Sequence, residues 1–457
     1  MRIAIATPYD TKLRAGGGAV IVRYLMEALQ ANGIEVLLWL CRDYPAPIQV
    51  KPLEGSPDRR DWEFIGLPPQ TAFRLDRLAP DQFQQLYQQV RDLQAQQPVD
   101  ALLIFNALTP GLWLMELAQA LGIPYILTLL DYSFLCPKFN RINQHGNFCQ
   151  GEIPESTCLN CAVAHLPPAK RPVFQLLRLV PDSLRSTAGR NLRPLFPAYG
   201  RYHAGSLSAR LMRRQDMKDL FARAAAVVYQ SPTMQTQFHQ AGWQHPNEFI
   251  ECYGVPTAAS QVKSVTHLDP VVQFVYLSRP TREWGIEFLL QTWATYCADK
   301  DDRKLTVLSP GISTLLAQHP EWQTLPNVEF SGETIQGRVA KFHACFHILI
   351  LPAQWQGIVA LTALEALAHG TAVIEPDLGG LPAYFANSPE SLGLTVYEWG
   401  DAESLAACIS SLCAERTRLK SLMDKTQQVR LLEEWGNTYL KLFKEAPQLY
   451  SNKKIFD

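Results

Sequence analysis

One stretch of the chain, 357–374 (GIVALTALEALAHGTAVI), combines a predicted helix start with a single carboxylate. Leu361 and Thr362 begin the helix directly after a loop, so their backbone amides can bind phosphate oxygens. Glu365 follows one turn later, where its side chain can accept hydrogen bonds from a ribose diol. An ordinary surface glutamate is the alternative. The apolar flanks of Glu365 are not those of a surface residue, and they favour the binding role.

Three other features suit the same chemistry. Arg279 ends a predicted strand, and a guanidinium there can clamp a diphosphate through two hydrogen bonds; a surface arginine is the alternative. Gly16-Gly17-Gly18 follow the first strand and let the backbone approach a ligand at a helix N-terminus; a flexible loop is the alternative. Gly379-Gly380 follow a later strand and allow a second close approach.

Four of the ten cysteines fall within a short part of the sequence, with His145 and His165 nearby. Thiolates at this spacing can hold one tetrahedral zinc ion, and a reduced, metal-free cluster is the alternative. The other six cysteines are scattered and are predicted to lie in the core. The four candidate metal ligands are Cys136, Cys149, Cys158 and Cys161.

The composition excludes several classes of protein. The 457 residues include 42 Lys and Arg against 43 Asp and Glu, which argues against a generally basic nucleic-acid coat. A hydrophobic content of 47% excludes a disordered or collagen-like chain. Ten cysteines are too few for a disulfide scaffold, so a reducing compartment is expected. No signal peptide or membrane-spanning segment is predicted.

Short apolar runs alternate with helical patterns in both halves of the chain, and the pattern restarts after Asp269. Such alternation predicts an α/β fold with two parallel sheets, each covered by helices on both faces. Ligands of these sheets bind at the carboxyl ends of the strands, which places the site between the two domains. The predicted units are an N-terminal domain (1–262), a C-terminal domain (263–430) and a terminal helix returning to the first domain (431–457).

One segment, 167–223, has few strand signals and carries 12 basic residues against three acidic ones, interleaved with apolar residues. It is predicted to be an insertion of basic amphipathic helices. A solvated helical hairpin over the first domain is one interpretation. The other is a surface that binds anionic lipid or an anionic glycan.

Taken together, these stretches resemble the retaining glycosyltransferases of the GT-B fold, and most closely glycosyltransferase family 4. The resemblance runs in order along nearly the whole chain, and the segment around Glu365 is its most specific part. The Asp131–Pro137 motif (DYSFLCP) and the cysteines after it mark a subgroup. The other matching motifs are Gly16-Gly17-Gly18, Ser231-Pro232, Ser278-Arg279, 365–374 (EALAHGTAVI) and 379–382 (GGLP).

The resemblance implies a role for each matching position. Arg279 and Glu365 would be the catalytic pair, one holding the diphosphate and the other the ribose. The donor would also be bound by Gly17, Gly18, Arg282, Gly332, Leu361 and Thr362, with Ser331-Gly332-Glu333 near the nucleobase. The sugar or acceptor would contact Asn106, Asp131, Gly379 and Gly380. The family needs no metal for the transfer, because cationic side chains and amides take that role.

Four polar positions of the family are substituted. Leu130 stands for a His before the Asp of the first motif, and Ala383 for a Glu after G-G-x-P. Trp284 stands for a Lys, with Arg282 as a substitute two residues earlier. Gly357 stands for a Glu eight residues before Glu365. Each lost charged contact could remove ~1.5–3 kcal/mol of binding energy.

The resemblance therefore implies a hexosyltransferase that moves a sugar from a nucleotide diphosphate donor to a glycan or lipid-linked acceptor, in polysaccharide or surface-glycan biosynthesis. The four substitutions suggest an alternative, a non-catalytic GT-B protein that binds a nucleotide, a glycan or a partner glycosyltransferase. The expected location is cytoplasmic, with peripheral association to the anionic inner face of a membrane. No nucleic-acid partner is expected.

Overall fold

The computed structural model describes most of the chain. Asn106, Glu333 and residues 167–216 of the predicted insertion lie outside the described residues. The described residues are 1–8, 16–42, 47–55, 60–66, 80–105, 112–136, 138–154, 157–158, 161, 217–256, 270–332, 345–385, 389–426 and 429–453.

The N-terminal half of the chain forms a sheet of eight strands. They are β1 (Arg2–Thr7), β2 (Glu35–Cys41), β3 (Gln49–Pro52), β4 (Trp62–Ile65), β5 (Ala101–Ile104), β6 (Tyr125–Thr128), β7 (Ala226–Tyr229) and β8 (Glu248–Ile250). Their order is β3-β4-β2-β1-β5-β6-β7-β8. Only the β3–β4 pair is antiparallel among the described strands. The central strands are apolar throughout, because helices cover both faces.

The C-terminal half forms a second sheet, of six parallel strands. They are β9 (Val272–Leu277), β10 (Arg303–Leu308), β11 (Val328–Ser331), β12 (Ile348–Ile350), β13 (Ala372–Pro376) and β14 (Leu394–Tyr397). Their order is β11-β10-β9-β12-β13-β14. The two sheets confirm the predicted α/β architecture with two Rossmann-like domains.

Helices connect the strands and cover the sheets. Those of the N-terminal half are α1 (Gly17–Ala31), α2 (Pro80–Gln96), α3 (Leu112–Leu121) and α4 (Pro232–Gln240). The helices that follow are α5 (Ile286–Tyr296), α6 (Ile312–Gln318), α7 (Leu361–Ala368), α8 (Gly380–Tyr384), α9 (Ala402–Ala414), α10 (Arg416–Lys425) and α11 (Leu432–Lys453). In the described part of the chain, no helix is long and apolar enough to cross a membrane.

The two halves meet where α1 contacts α7. One hydrophobic cluster includes side chains from both helices, among them Tyr24 and Leu25 of α1 and Leu361 and Leu364 of α7. Each helix is the next helix after a strand, α1 after β1 and α7 after β12, so the N-terminus of each lies on the carboxyl-end side of its sheet. This junction brings together the positions that the sequence predicts for a ligand.

The last helix, α11, packs on the N-terminal half. Trp435 is fully buried, and the Tyr439 hydroxyl lies 2.8 Å from Oγ1 of Thr128 in β6. A Cβ on Gly436 would lie 2.6 Å from the Ala28 carbonyl oxygen of α1, so this glycine allows close helix contact. The predicted domain limits at 262 and 430 stay predictions, and residues 257–269, which include the first of these limits, lie outside the described residues.

Candidate functional site

The start of α7 has no side-chain cap. Ala360, the residue before the helix, has extended geometry and provides no side-chain cap. Leu361 is buried and Thr362 half-buried, so the amides of the first turn lie at the edge of the junction. An uncapped helix start of this kind favours an anion.

Glu365 is buried at the contact between α7 and α1, with only 6% of its surface exposed. Its Oε1 accepts a hydrogen bond of 2.9 Å from the Tyr24 hydroxyl, which belongs to the opposite half of the chain. Burial raises the pKa of Glu365 to about 7, although the Tyr24 hydrogen bond and the Arg23 charge oppose this rise. Glu365 is therefore a carboxylate at the domain junction, as the apolar flanks predict.

Arg279 lies at the end of β9 and is exposed. A Cβ on Gly16 would lie 3.4 Å from Nη2 of Arg279, so the guanidinium reaches the start of α1. Gly16 has a φ of 87°, which favours glycine, and a Cβ on Gly17 would meet no atom within 4 Å. The structure thus brings Arg279 to the glycine loop and leaves open space beside Gly17. Gly18 is half-buried in the first turn of α1.

The loop before α7 is bound by three side chains of the N-terminal half. The Tyr132 hydroxyl donates to the Gln356 carbonyl (2.6 Å), and Ser231 Oγ donates to the Gly357 carbonyl (2.6 Å). The Gln230 amide oxygen accepts from the Val359 amide (3.1 Å). The loop is consequently buried against the first domain.

Gly357, where the resemblance implies a Glu in the family, lies close to two residues of the N-terminal half. A Cβ there would lie 2.7 Å from the Met234 amide nitrogen and 2.9 Å from the Tyr132 hydroxyl. Its φ of 71° is a conformation that favours glycine. This position is thus occupied by contact between the two halves of the chain, which the sequence alone did not indicate.

Trp284, another of the four positions that the resemblance implies to be substituted, is part of an aromatic chain across the junction. Its ring centroid lies 5.4 Å from that of Trp355, which in turn lies 6.2 Å from Phe139 of the N-terminal half. Arg282 also reaches across, because a Cβ on Gly146 would collide with its guanidinium. This contact directs Arg282 to the opposite half, and its donor-binding role stays a prediction.

Gly379-Gly380 make close contacts within the chain. A Cβ on Gly379 would collide with Oε1 of Glu375, and one on Gly380 would lie 2.6 Å from the Ile358 carbonyl carbon. Glu375 is 1% exposed, and its Oε2 has no hydrogen-bond partner among the described residues. The sequence did not predict this buried carboxyl group as a site residue. The sugar or acceptor role of Gly379-Gly380 stays a prediction.

The structure shows fewer contacts at the remaining predicted site residues, Asp131 and Gly332. Asp131 accepts a hydrogen bond from the Ser133 amide (2.8 Å), and burial raises the pKa of its half-buried carboxyl. Gly332 follows β11, is exposed, and would meet no atom within 4 Å if it carried a Cβ. Asn106 lies outside the described residues.

Three of the four cysteines influence one another electrostatically. Burial raises the pKa of Cys136 and Cys149, and Cys161 contributes to both shifts. The Lys138 ammonium lies 3.9 Å from the Cys161 sulfur. No group of three or more Cys, His, Asp or Glu in the described chain is arranged to hold a metal ion. Zinc binding by the four cysteines stays a prediction for elemental analysis.

Comparison with known proteins gives matches over both halves. The family model described as glycosyl transferase 4-like domain matches residues 16–251, and the model described as glycosyl transferases group 1 matches residues 269–415. A GDP-mannose-dependent alpha-mannosyltransferase of Mycolicibacterium smegmatis is 31% identical over 149 residues. That alignment spans 33% of this chain and 36% of the mannosyltransferase, so it covers about a third of the relative.

Solved structures match the whole architecture. Sucrose-phosphate synthase from Thermosynechococcus elongatus superposes with a TM-score of 0.60 at 17% identity, covering 99% of each chain. Anabaena HepE in complex with UDP gives a TM-score of 0.58 at 13% identity, covering 97% of this chain and 100% of that one. These likenesses confirm the GT-B fold. Because the glycosyl transferase 4-like model alone covers more than half of the sequence, the chain belongs to the glycosyltransferases of this family.

Proposed function

We propose that the protein is a retaining hexosyltransferase that uses a nucleotide diphosphate sugar and acts on a glycan or lipid-linked acceptor, in polysaccharide or surface-glycan biosynthesis. The strongest support is a pair of contacts that the C-terminal half makes with α1 and with the glycine that precedes it. Arg279 reaches Gly16, and Glu365 is bound by Tyr24. Eight residues of helix separate the two contacts by roughly 12 Å. A nucleoside diphosphate can span this distance, with its ribose at Glu365 and its phosphates at Arg279.

The chemistry needs no strong protein nucleophile. The bond between the sugar C1 and the diphosphate oxygen breaks, and a new bond forms from C1 to the acceptor oxygen on the same face. The acceptor proton passes to the departing phosphate. Arg279 and the amides of Leu361 and Thr362 would stabilise the charge that develops on that phosphate.

The first experiment is a donor panel. The mannosyltransferase relative is GDP-mannose-dependent by name, and Anabaena HepE is described in complex with UDP-glucose. GDP-mannose and UDP-glucose therefore head the panel, followed by other nucleotide sugars. Release of the nucleoside diphosphate, with and without acceptor, is the measurement. Failure to hydrolyse or transfer any of these sugars would contradict the proposal.

Arg279→Ala is expected to weaken nucleoside diphosphate binding by roughly 10- to 100-fold, the loss typical of one hydrogen-bonded charged contact. Isothermal titration with UDP and GDP measures it. Arg418→Ala is the matched control, because Arg418 is a C-terminal-domain arginine paired with Glu390 at 2.7 Å. Equal affinities of the Arg279 variant and the wild type would remove Arg279 from the site.

A second candidate function is supported by the loop that contains Gly357. Its packing against Met234 and Tyr132 leaves no room for the family's carboxylate at this position. This favours a non-catalytic protein that binds a nucleotide, a glycan or a partner glycosyltransferase. Nucleotide binding without turnover of any donor would support it. Turnover by the wild-type protein that is lost in Glu365→Ala would rule it out.

The proposed location is cytoplasmic, with peripheral binding of 167–223 to anionic membranes. The 12 basic residues of this segment motivate the proposal, and all but Lys218 and Arg223 lie outside the described chain. Flotation with anionic liposomes at low and high salt tests it. Binding that does not depend on salt, or no binding, would contradict it.

A further inference from the structure

We infer that the Tyr24 hydroxyl occupies the place of a ribose hydroxyl on Glu365, so that a ribonucleotide must displace Tyr24 to bind. This rests on the proposed function, in which Glu365 binds the ribose. Tyr24 would then help determine the affinity for ribonucleotides and link nucleotide binding to the contact between the two domains.

The first observation is the geometry of the contact. The Tyr24 hydroxyl lies 2.9 Å from Oε1 of Glu365, and both residues are buried, with 8% and 6% of their surfaces exposed. They come from opposite halves of the chain, since Tyr24 is in α1 and Glu365 in α7. The bond therefore exists only while the two helices are in contact.

The second observation is chemical. A tyrosine hydroxyl and a ribose hydroxyl are both neutral O–H donors, and each offers a carboxylate the same kind of hydrogen bond. Burial, together with the charge of Glu365, raises the pKa of Tyr24 well above its ordinary value, so its hydroxyl stays a donor. A ribose diol that engages both carboxylate oxygens therefore competes with the Tyr24 hydroxyl for Oε1.

The position of the Tyr24 ring is itself constrained. The Arg23 guanidinium lies over the ring, 5.4 Å from its centroid, and forms a 3.7 Å ion pair with Glu27 one turn later. The ring also packs in the hydrophobic cluster that joins the two halves. Displacing its hydroxyl from Glu365 therefore requires movement at the α1–α7 contact, and that requirement reduces the apparent affinity for the nucleotide.

The test is Tyr24→Phe, which removes the hydroxyl and keeps the ring. The ligands for isothermal titration are UDP, GDP and their 2′,3′-dideoxy counterparts. We expect the variant to bind the ribonucleotide about tenfold more tightly than the wild type and the dideoxy nucleotide with unchanged affinity. The matched control is Tyr229→Phe, because the Tyr229 hydroxyl donates to Glu248 Oε1 at 3.0 Å within the N-terminal half alone.

Every other outcome of this titration would contradict the inference. Weaker ribonucleotide binding by Tyr24→Phe would show that Tyr24 positions Glu365 for the ribose, and it would overturn the inference. Equal binding by the variant and the wild type would overturn it too, while leaving the proposed function intact. If neither protein binds any nucleoside diphosphate, the proposed function fails and the inference falls with it. Tighter binding of ribo- and dideoxy nucleotides alike would locate the effect away from the ribose and also contradict it.

Discussion

Gly357→Glu is expected to destabilise the protein rather than to restore a missing sugar contact. The substitution places a Cβ 2.7 Å from the Met234 amide nitrogen and 2.9 Å from the Tyr132 hydroxyl, closer than real Cβ atoms approach. It also forces a side chain onto a φ of 71°. Such backbone strain costs about 1–3 kcal/mol and overpacking about as much again, so we expect a loss of about 4 kcal/mol in the free energy of unfolding.

Urea denaturation measures this loss, and two other variants locate its origin. Gly357→Ala should lose most of the same stability, because the Cβ alone makes the collision. Gly17→Ala should lose little, since a Cβ there meets nothing within 4 Å. A Gly357→Glu protein that is as stable as the wild type and gains sugar transfer would refute the packing argument and favour an active enzyme with an adaptable loop.

The resemblance implied a substituted position at Gly357, and the sequence did not indicate the contacts that the structure shows there. These contacts join residues far apart in the chain: Ser231 and Gly357 are separated by 126 positions and Tyr132 and Gln356 by 224. No local pattern encodes such a contact. Periodicity and strand alternation, in contrast, depend on neighbouring residues, which is why both sheets and the helix containing Glu365 could be predicted.

Tyr24 is a second residue whose long-range contact could not be predicted from the sequence. Within α1 it occupies a buried position at helical spacing, and the sequence gives it no feature beyond an ordinary core residue. Its partner Glu365 is 341 positions away. The carboxylate could be found because a charge in an apolar helix is unusual, whereas a tyrosine in an apolar helix is not.

The sequence did not single out Glu375, because this residue ends an apolar strand run. The groups that contact its carboxyl belong to the turn after the strand. The carboxyl is fully buried, and this burial raises its pKa from the ordinary glutamate value of 4.5 to about 8, although backbone hydrogen bonds from Leu381 and Gly380 lower it in part. Its Oε2 has no hydrogen-bond partner among the described residues. Ionisation of Glu375 therefore leaves a buried charge that no cation in the described part of the chain balances.

This carboxyl is expected to make the protein less stable as the pH rises. The folded chain holds the proton more tightly than the unfolded chain, so the stabilising effect is fully present below pH 4.5 and is lost as the pH rises through about 8. Glu365 acts in the same direction, with loss complete near pH 7. From Glu375 alone the loss amounts to roughly 4–5 kcal/mol, or about 1.4 kcal/mol per pH unit.

Glu375→Gln should reverse the order of stability between acid and alkaline pH. At pH 5 the variant should be less stable than the wild type by about 1–3 kcal/mol, because its amide adds a donor beside a site that offers no partner. At pH 8.5 the variant should be the more stable protein, since it has no charge to bury. Urea denaturation of both proteins at half-unit pH steps measures the two curves and their crossing.

Glu248→Gln is the control, because the pKa of Glu248 is shifted in the opposite direction, below its ordinary value. Although burial opposes the shift, hydrogen bonds from His239, the His245 amide, Gln235 and Tyr229 lower the pKa of Glu248. Its stabilising effect is thus present above its ordinary pKa and lost in acid, so Glu248→Gln should lose stability at neutral and alkaline pH without crossing the wild-type curve in that range. Parallel curves for the wild type and Glu375→Gln between pH 5 and 8.5 would show that Glu375 is ionised throughout, with an unseen cation or solvent path at Oε2.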